Sequence, residues 1–361
     1  MRRLCRLSTP DSLSNMDLWG YLKSTDKPKI IYGMGNGADK ILSVFELYGI
    51  KAEGIFASDE FYREGKRFHD MPVLKYSDFC EKYDDFIVLI SFATNLPEVR
   101  ANILRIASER ELYAPCVPVY GDTLFTEEYY NEHKEEIERT RELFFDELSK
   151  EIFDNIINYR LTGKLEYLFK AQTDKREPWD KLLHTQDYRS YADLGAYTGD
   201  TALEFLSFCP NAERIYAMEP DPRNYRKLSA IEDERIIKIN KGAWDKAQSL
   251  EFNMGAGRGA SRGSHGKTVI LDFDSLDNIL CGESVDYIKY DVEGSEKQAL
   301  FGSRGTIEKH SPDLLVSLYH RSEDIFTLPA LVSSFDPEYK LYLRRFEYIP
   351  DWDINLYAVK D

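Results

Sequence analysis

Acidic side chains lie at the ends of three apolar segments that are typical of buried strands. Asp193 lies in the first of these segments, Glu219 follows the second, and Asp291 and Glu293 follow the third. Open α/β sheets bind their ligands beyond the carboxyl ends of their strands, where these side chains would meet. A carboxylate at that edge can accept hydrogen bonds from hydroxyl groups or pair with an ammonium group. The pattern therefore predicts a ligand site lined by carboxylates.

The first segment breaks into a turn that contains Gly195 and Gly199. Glycine permits backbone conformations and a close approach that a Cβ would prevent. Residues 201–206 then predict a helix whose N-terminal amides face the ligand. The Gly-x-x-x-Gly spacing differs from the Gly-x-Gly-x-x-Gly pattern that accommodates a pyrophosphate. S-adenosylmethionine has a ribose and an ammonium group and lacks a phosphate, so it fits this turn better than a dinucleotide does.

Glu219 and Asp193 have separate predicted tasks. Glu219 lies 219 − 193 = 26 residues after Asp193, close to the offset of about 20 residues at which a doubly wound fold places a carboxylate over a ribose diol. Two oxygens on one carboxylate suit two neighbouring hydroxyl groups. We therefore expect Glu219 to bind a ribose and Asp193 to lie near a ligand ammonium group.

The third segment carries a resemblance to a known family. Residues 285–296 form an apolar strand pattern that ends in Asp291 and Glu293 and continues into a helix, and this run resembles the hallmark of the FkbM family of class I methyltransferases. Residues 268–276 and 315–324 are similar to the same family's pattern. Tyr290 is a departure, because family members often carry an aliphatic residue there. The resemblance covers residues 188–361, about half of the chain.

The resemblance implies a fold, a reaction and a substrate class. The fold is a class I, Rossmann-like α/β sheet with a closing antiparallel hairpin, and residues 339–346 and 355–359 match the hairpin. The implied activity is S-adenosylmethionine-dependent O-methylation. Its implied acceptor is a hydroxyl of a sugar, a glycan precursor or another natural product.

Four side chains are candidates for the reaction itself. Asp291 is the first choice, and Glu293 shares its face if the strand persists; either acid could instead cap the helix that begins near Ser295. Lys289 could pair with either acid in a structural ion pair. His320 follows the next strand and has the type of side chain whose ordinary pKa suits proton transfer near neutrality, with packing as the alternative role. Asp291, Glu293 and His320 would also suit a divalent metal, although their spacing does not require one.

The predicted cofactor site draws on three stretches of chain. Trp244 follows the third predicted strand, where adenine commonly lies in this fold, and core packing is its alternative role. Arg258 and Arg262 lie in the glycine-rich residues 255–266, which predict a mobile loop. The candidate cofactor-binding residues are Asp193, Gly195, Ala196, Tyr197, Gly199, Glu219, Pro220, Ala243, Trp244 and Asp291.

The N-terminal part contains a second glycine turn. Strand and helix patterns alternate from residue 29 to residue 104 and predict a small parallel α/β domain. Gly33-x-Gly35-x-x-Ala38, with Asp59 further along, permits a nicotinamide-dependent oxidoreductase or a sugar-nucleotide enzyme. The relaxed pattern also arises wherever a strand turns tightly into a helix. We favour a structural or partner-binding domain.

The length of 361 residues indicates two domains. We predict a small Rossmann-like α/β domain at residues 1–120, a helical linker at residues 121–187 and a methyltransferase domain at residues 188–361. The linker helices bridge the domains or form a dimer contact in a homo-oligomer, and the sequence leaves both open. His133 and His184 lie in this region, and neither is assigned a catalytic role.

The net charge and composition disfavour some classes of binding partner and cellular location. A formal net charge of −16 disfavours nucleic acid and anionic membranes. The five cysteines are scattered without a Cys-x-x-Cys pair, and no apolar run suits a membrane span or a signal peptide. These features predict a cytoplasmic protein, and the family resemblance implies a small-molecule or glycan substrate. A binding or scaffold protein that keeps the fold without turnover is the remaining alternative.

Overall fold

The computed structural model describes residues 16–58, 61–253 and 268–360. Its first sheet has six strands in the order β3-β4-β2-β1-β5-β6. All of their pairings are parallel except β3 with β4. The strands are β1 (Lys29–Tyr32), β2 (Gly54–Phe56), β3 (Arg67–Phe68), β4 (Met71–Leu74), β5 (Ile87–Ile90) and β6 (Glu111–Tyr113), with helices α1 (Leu18–Ser24), α2 (Asn36–Tyr48), α3 (Tyr76–Lys82) and α4 (Pro97–Glu109).

This sheet confirms the predicted small α/β fold of the N-terminal part. Strands β1 and β5 are buried at every position, as expected for parallel strands covered by helices on both faces. The ring of Tyr32 stacks on Phe56 with 4.5 Å between centroids. β4 matches the strand expected at residues 72–74, whereas β3 and β6 were not predicted, because strands of two or three residues leave little periodicity to detect.

Five helices follow the first sheet: α5 (Glu127–Glu132), α6 (Lys134–Leu143), α7 (Glu147–Thr162), α8 (Leu165–Lys170) and α9 (Glu177–Lys181). Thr126 caps α5 by accepting a hydrogen bond from the Tyr129 amide, as the sequence indicates. The buried Arg344 joins this region to the C-terminal sheet by ion pairs with Asp146 and Glu177. The helices therefore pack onto the C-terminal part of the protein.

The large C-terminal sheet has seven strands in the order β15-β16-β14-β13-β7-β8-β9. β16 runs antiparallel to both of its neighbours, β14 and β15. Together β15 and β16 form the predicted closing hairpin. The strands are β7 (Ser190–Leu194), β8 (Arg214–Met218), β9 (Ile236–Ile239), β13 (Tyr287–Tyr290), β14 (Asp313–Ser317), β15 (Lys340–Arg345) and β16 (Ile354–Val359). The helices are α10 (Asp200–Phe208), α11 (Pro222–Ser229), α13 (Glu296–Phe301), α14 (Arg304–His310) and α15 (Asp324–Phe335).

A third, three-stranded sheet lies between β9 and β13 in the chain. It contains β10 (Gly242–Ala243), β11 (Gln248–Asn253) and β12 (Thr268–Asp274), followed by helix α12 (Leu276–Leu280). β11 and β12 pair antiparallel, so the chain reverses between them. The predicted mobile loop, with Arg258 and Arg262, lies outside the described residues.

Among the residues that the structure describes, none of the helices has both the length and the apolar character needed to cross a membrane. Cys80, Cys116, Cys209 and Cys281 carry free thiols.

Candidate active site

The strand order reverses between β7 and β13, and a buried ion pair lies at that point. Asp193 and Lys289 are direct neighbours in the parallel register, with Lys289 Nζ 3.1 Å from Asp193 Oδ1. The Thr201 hydroxyl donates to Asp193 Oδ2 at 2.6 Å, and the Asp193 side chain is fully buried. This geometry differs from the prediction of a ligand ammonium beside Asp193. The carboxylate is already paired with Lys289, and it supports the turn from beneath.

The turn after β7 needs glycine at its first position. A Cβ on Gly195 would lie 1.9 Å from the Asp291 carbonyl oxygen, and the φ of +83° is left-handed. The amides of Gly195 and Ala196 both donate to the Met218 carbonyl, so the turn is tied to β8. Gly199 ends the turn at the N-terminus of α10, and the exposed Tyr197 lies between the two glycines. The sequence thus located a turn in which β7, β8 and the end of β13 meet.

Glu219 follows β8 and faces this turn. Its Oε2 accepts from the Tyr197 amide at 2.9 Å, and its Oε1 accepts from the Asp221 amide at 2.8 Å. Only 6% of the residue is exposed, and burial raises the pKa of Glu219 to about 7 despite the two backbone donors. Further hydrogen-bond donors would therefore stabilise the charged form.

Asp291 and Glu293 come together at the end of β13. The strand stops at Tyr290, and Glu293 takes a left-handed backbone with φ of 55°. The chain turn still brings both acids to His320, whose Nε2 lies 3.6 Å from Asp291 Oδ1 and 3.7 Å from Glu293 Oε2. Lys289 Nζ is 3.9 Å from Asp291 Oδ2, so its closer partner is Asp193 rather than either predicted acid. The charges of Lys289 and His320 help to lower the pKa of Asp291 against the opposing effect of burial.

His320 is buried to 1% exposure and is surrounded by acids. Its Nδ1 lies 2.8 Å from Glu296 Oε1. Although burial opposes protonation, Glu296, Asp291 and Glu293 together raise the pKa of His320 to about 9. The surrounding acids therefore favour the protonated imidazole, and the role of His320 as a base stays a prediction.

Glu296 is the residue that sequence reasoning missed. It is the first residue of α13, and its Oε1 accepts from the amides of Val292 and Gly294 at 3.0 and 3.3 Å. Glu296 therefore holds this turn, a task that the sequence offered to Asp291 or Glu293 as helix caps. The detectable signal was a third acid in the run 291–296, three residues after Glu293.

Aromatic residues complete the surroundings of the acid cluster. The Tyr319 hydroxyl donates to Asp291 Oδ1 at 3.1 Å, and the Tyr319 ring stacks on Trp352. The Tyr120 amide donates to the His320 carbonyl at 2.9 Å, and the Tyr120 ring covers Gly294. The segment that leaves the first sheet thus reaches the site.

The remaining predicted cofactor residues lie after β8 and β9. Pro220 is half-buried next to Glu219, and Ala243 is buried in β10. Trp244 is half-buried, donates its amide to the Asp274 carbonyl and packs edge-on against Phe273. His184 pairs with Asp313 and His133 with Glu136, both outside this cluster.

The glycine turn of the first sheet is packed by the protein's own residues. A Cβ on Gly33 would lie 2.5 Å from the Phe92 ring. Lys40 Nζ donates to the carbonyls of Pro118 and Val119. The adjoining cavity has a volume of about 120 Å³, whereas ligand pockets usually span roughly 300–1,000 Å³. Asp59 lies outside the described residues.

The fold is that of a Rossmann-like class I methyltransferase, and comparisons with known proteins name a family that part of the chain resembles. Residues 193–350 match the family model described as the methyltransferase FkbM domain. This match confirms the predicted resemblance of the C-terminal part of the chain to the FkbM family.

Solved structures resemble the chain to different extents. Methyltransferase FkbM from Methylobacillus flagellatus KT is 21% identical, with 92% of this chain and 90% of that chain covered and a TM-score of 0.69, which shows a shared fold across both parts. Aeropyrum pernix fibrillarin, solved with natively bound S-adenosyl-L-methionine, is 16% identical over 49% of this chain and 69% of its own, with a TM-score of 0.33. No curated protein sequence matches the chain.

Proposed function

We propose that this protein is an S-adenosylmethionine-dependent O-methyltransferase whose acceptor is a hydroxyl of a sugar, a glycan precursor or another natural product. One observation carries the proposal. Glu219 and the cluster of Asp291, Glu293 and His320 flank the glycine turn where the strand order of the FkbM domain reverses. Open α/β sheets bind ligands at such a reversal.

The residues on the cofactor side fit S-adenosylmethionine. Glu219 is buried with a raised pKa, so two ribose hydroxyls would add donors to the two backbone amides and stabilise its charged form. The turn from Gly195 to Gly199 brings backbone close to the ligand, with Ala196 and Tyr197 between the glycines. Pro220, Ala243 and Trp244 are proposed to flank the adenine, and Asp193 acts from beneath the turn through Lys289.

The acceptor side must hold a neutral hydroxyl and receive its proton. When bound, S-adenosylmethionine supplies a methyl group activated by a sulfonium. The Asp291 side chain is one-third exposed and Glu293 nearly half exposed, so both can meet a hydroxyl, whereas His320 is buried behind them. We assign to Asp291 the orientation of the acceptor hydroxyl, with Glu293 as a second carboxylate beside it. His320 and Lys289 hold Asp291 in place.

The acid cluster also bears on the substrate class. Carboxylates accept hydrogen bonds from sugar hydroxyls and repel phosphate groups. A neutral polyol acceptor is consistent with this surface. The scattered free cysteines are consistent with a cytoplasmic setting.

Calorimetric titration tests the cofactor. Wild type should bind S-adenosylmethionine and S-adenosylhomocysteine, and Glu219→Gln should weaken both by roughly 10-fold or more, because each hydrogen bond to a charged group contributes about 1.5–3 kcal/mol. Glu213→Gln, on an exposed side chain of similar type, is the matched control and should bind as wild type does.

Three other outcomes would redirect the proposal. A nicotinamide dinucleotide that binds instead, with binding lost in Gly35→Trp, would point to an oxidoreductase that uses the first glycine turn. If Glu219→Gln binds S-adenosylmethionine as tightly as wild type does, Glu219 does not bind the ribose. Cofactor binding without methyl transfer to any acceptor in a radiolabel screen of sugars and glycosides would favour a binding or scaffold protein.

A further inference from the structure

Three potential metal ligands converge beside the proposed acceptor site. Asp291 follows β13, Glu296 begins α13, and His320 follows β14. One ligand atom from each residue lies within 4.8 Å of the others. Asp291 is partly exposed, while Glu296 and His320 are each only 1% exposed. The cluster thus combines two buried residues with one that is partly exposed to solvent.

The two buried residues, Glu296 and His320, contain polar atoms with no hydrogen-bond partner within the described part of the chain. These atoms are Glu296 Oε2 and both ring nitrogens of His320. His320 Nδ1 nevertheless has Glu296 Oε1 as a close neighbour at 2.8 Å. Native proteins satisfy nearly all buried polar groups, and an unsatisfied one costs about 1–3 kcal/mol. Glu296 Oε2 and His320 Nε2 are therefore available for a further ligand.

The carboxylate of Glu296 is held in a fixed position. Its Oε1 accepts from the amides of Val292 and Gly294, which leaves Oε2 available for another partner. Glu293 adds a further carboxylate, 3.7 Å from His320 Nε2. Oxygen donors from carboxylates with one imidazole suit a divalent cation of the Mg²⁺ or Mn²⁺ kind.

We propose that Asp291, Glu296 and His320 form a divalent-cation site, and that the cation binds and acidifies the acceptor hydroxyl. The catalytic purpose rests on the proposed function, whereas cation binding does not. The acceptor O–H bond breaks and its proton passes to the Glu293 carboxylate. The freed electron pair forms the new O–CH₃ bond as the C–S bond of the sulfonium breaks, with that bond's electron pair remaining on sulfur.

The test uses the full chain without cofactor and Mn²⁺ as the probe. Electron paramagnetic resonance should show one saturable Mn²⁺ per chain that Mg²⁺ displaces. Asp291→Asn and Glu296→Gln should each weaken binding by about 100-fold or more, since even changes outside the ligand shell cost about 10–100-fold. Glu132→Gln, in an exposed acidic surface with Glu127 and Glu128, is the control and should bind as wild type does.

Thermal unfolding separates loss of the ligand from loss of the fold. Asp291→Asn changes a partly exposed side chain, so it remains informative if Glu296→Gln fails to fold. Absence of saturable Mn²⁺ binding, or binding unchanged in Asp291→Asn, would overturn the metal site. S-adenosylmethionine binding without Mn²⁺ binding would leave the methyltransferase proposal intact, and the converse result would remove that proposal while the cation site stands.

Discussion

Lys289 and Asp193 face each other across two parallel strands that are 96 residues apart in the chain, and their charged groups meet at 3.1 Å in the centre of the C-terminal sheet. Lys289 Nζ also donates to the Gly195 carbonyl at 3.2 Å. The pair therefore connects β7, β13 and the glycine turn, and its integrity determines the position of both halves of the proposed site.

Replacement of Lys289 by methionine should destabilise the protein strongly. The substitution leaves the Asp193 charge buried, which costs about 3–5 kcal/mol of unfolding free energy. Urea unfolding monitored by circular dichroism measures the change. Lys134→Met removes an exposed helix pair with Glu138 and should cost less than about 1 kcal/mol. Equal losses for the two variants would contradict a special role for the buried pair.

Gly195→Ala should lower the free energy of unfolding by more than the strain of a left-handed backbone alone. Gly282 has a similar φ of +90° and open space around its added Cβ, whereas the Gly195 Cβ would collide with the Asp291 carbonyl. We expect Gly282→Ala to cost about 1–2 kcal/mol and Gly195→Ala clearly more. Parallel thermal and urea unfolding of both variants checks the difference, and a Gly195→Ala protein as stable as Gly282→Ala would refute the close approach.

Glu219 should make stability depend on pH. Burial raises its pKa to about 7 in the folded protein, while an unfolded glutamate titrates near about 4.3. The folded state therefore holds the proton more tightly, and wild type loses stability relative to Glu219→Gln as the pH rises through this window. Urea unfolding of both proteins at several pH values tests this, and a constant difference between them would show that Glu219 titrates normally.

Arg160 should stabilise the contact between the helices and two loops of the C-terminal part. Its Nε donates to Asp351 Oδ2 at 2.7 Å and its Nη1 to the Ser322 carbonyl at 3.0 Å, and both charged side chains are buried. Arg160→Met should cost about 3–5 kcal/mol because Asp351 stays charged and buried. The double variant Arg160→Met with Asp351→Leu should recover much of that loss in urea unfolding. A double variant less stable than Arg160→Met would count against an uncompensated charge as the cause.

The sequence predicted much of the fold because strands, helices and turns leave local signals. The apolar run before Asp193, the glycines at positions 195 and 199 and the hairpin at the C-terminus all appear in the structure where the patterns placed them. The short strands β3 and β6 were missed, since their pairing comes from neighbouring strands rather than from their own residues.

The sequence by itself determined the order of elements, the carboxylates at their ends and the FkbM motifs, because each depends on residues that are close in the chain. Tertiary structure alone decided which charges meet. It paired Lys289 with Asp193 instead of with Asp291 or Glu293, which are closer in the chain. It also placed Glu296 against His320, which lies 320 − 296 = 24 residues further along the chain. Such partners depend on strand order and register, and the low-dielectric interior then sets the strength and cost of each interaction.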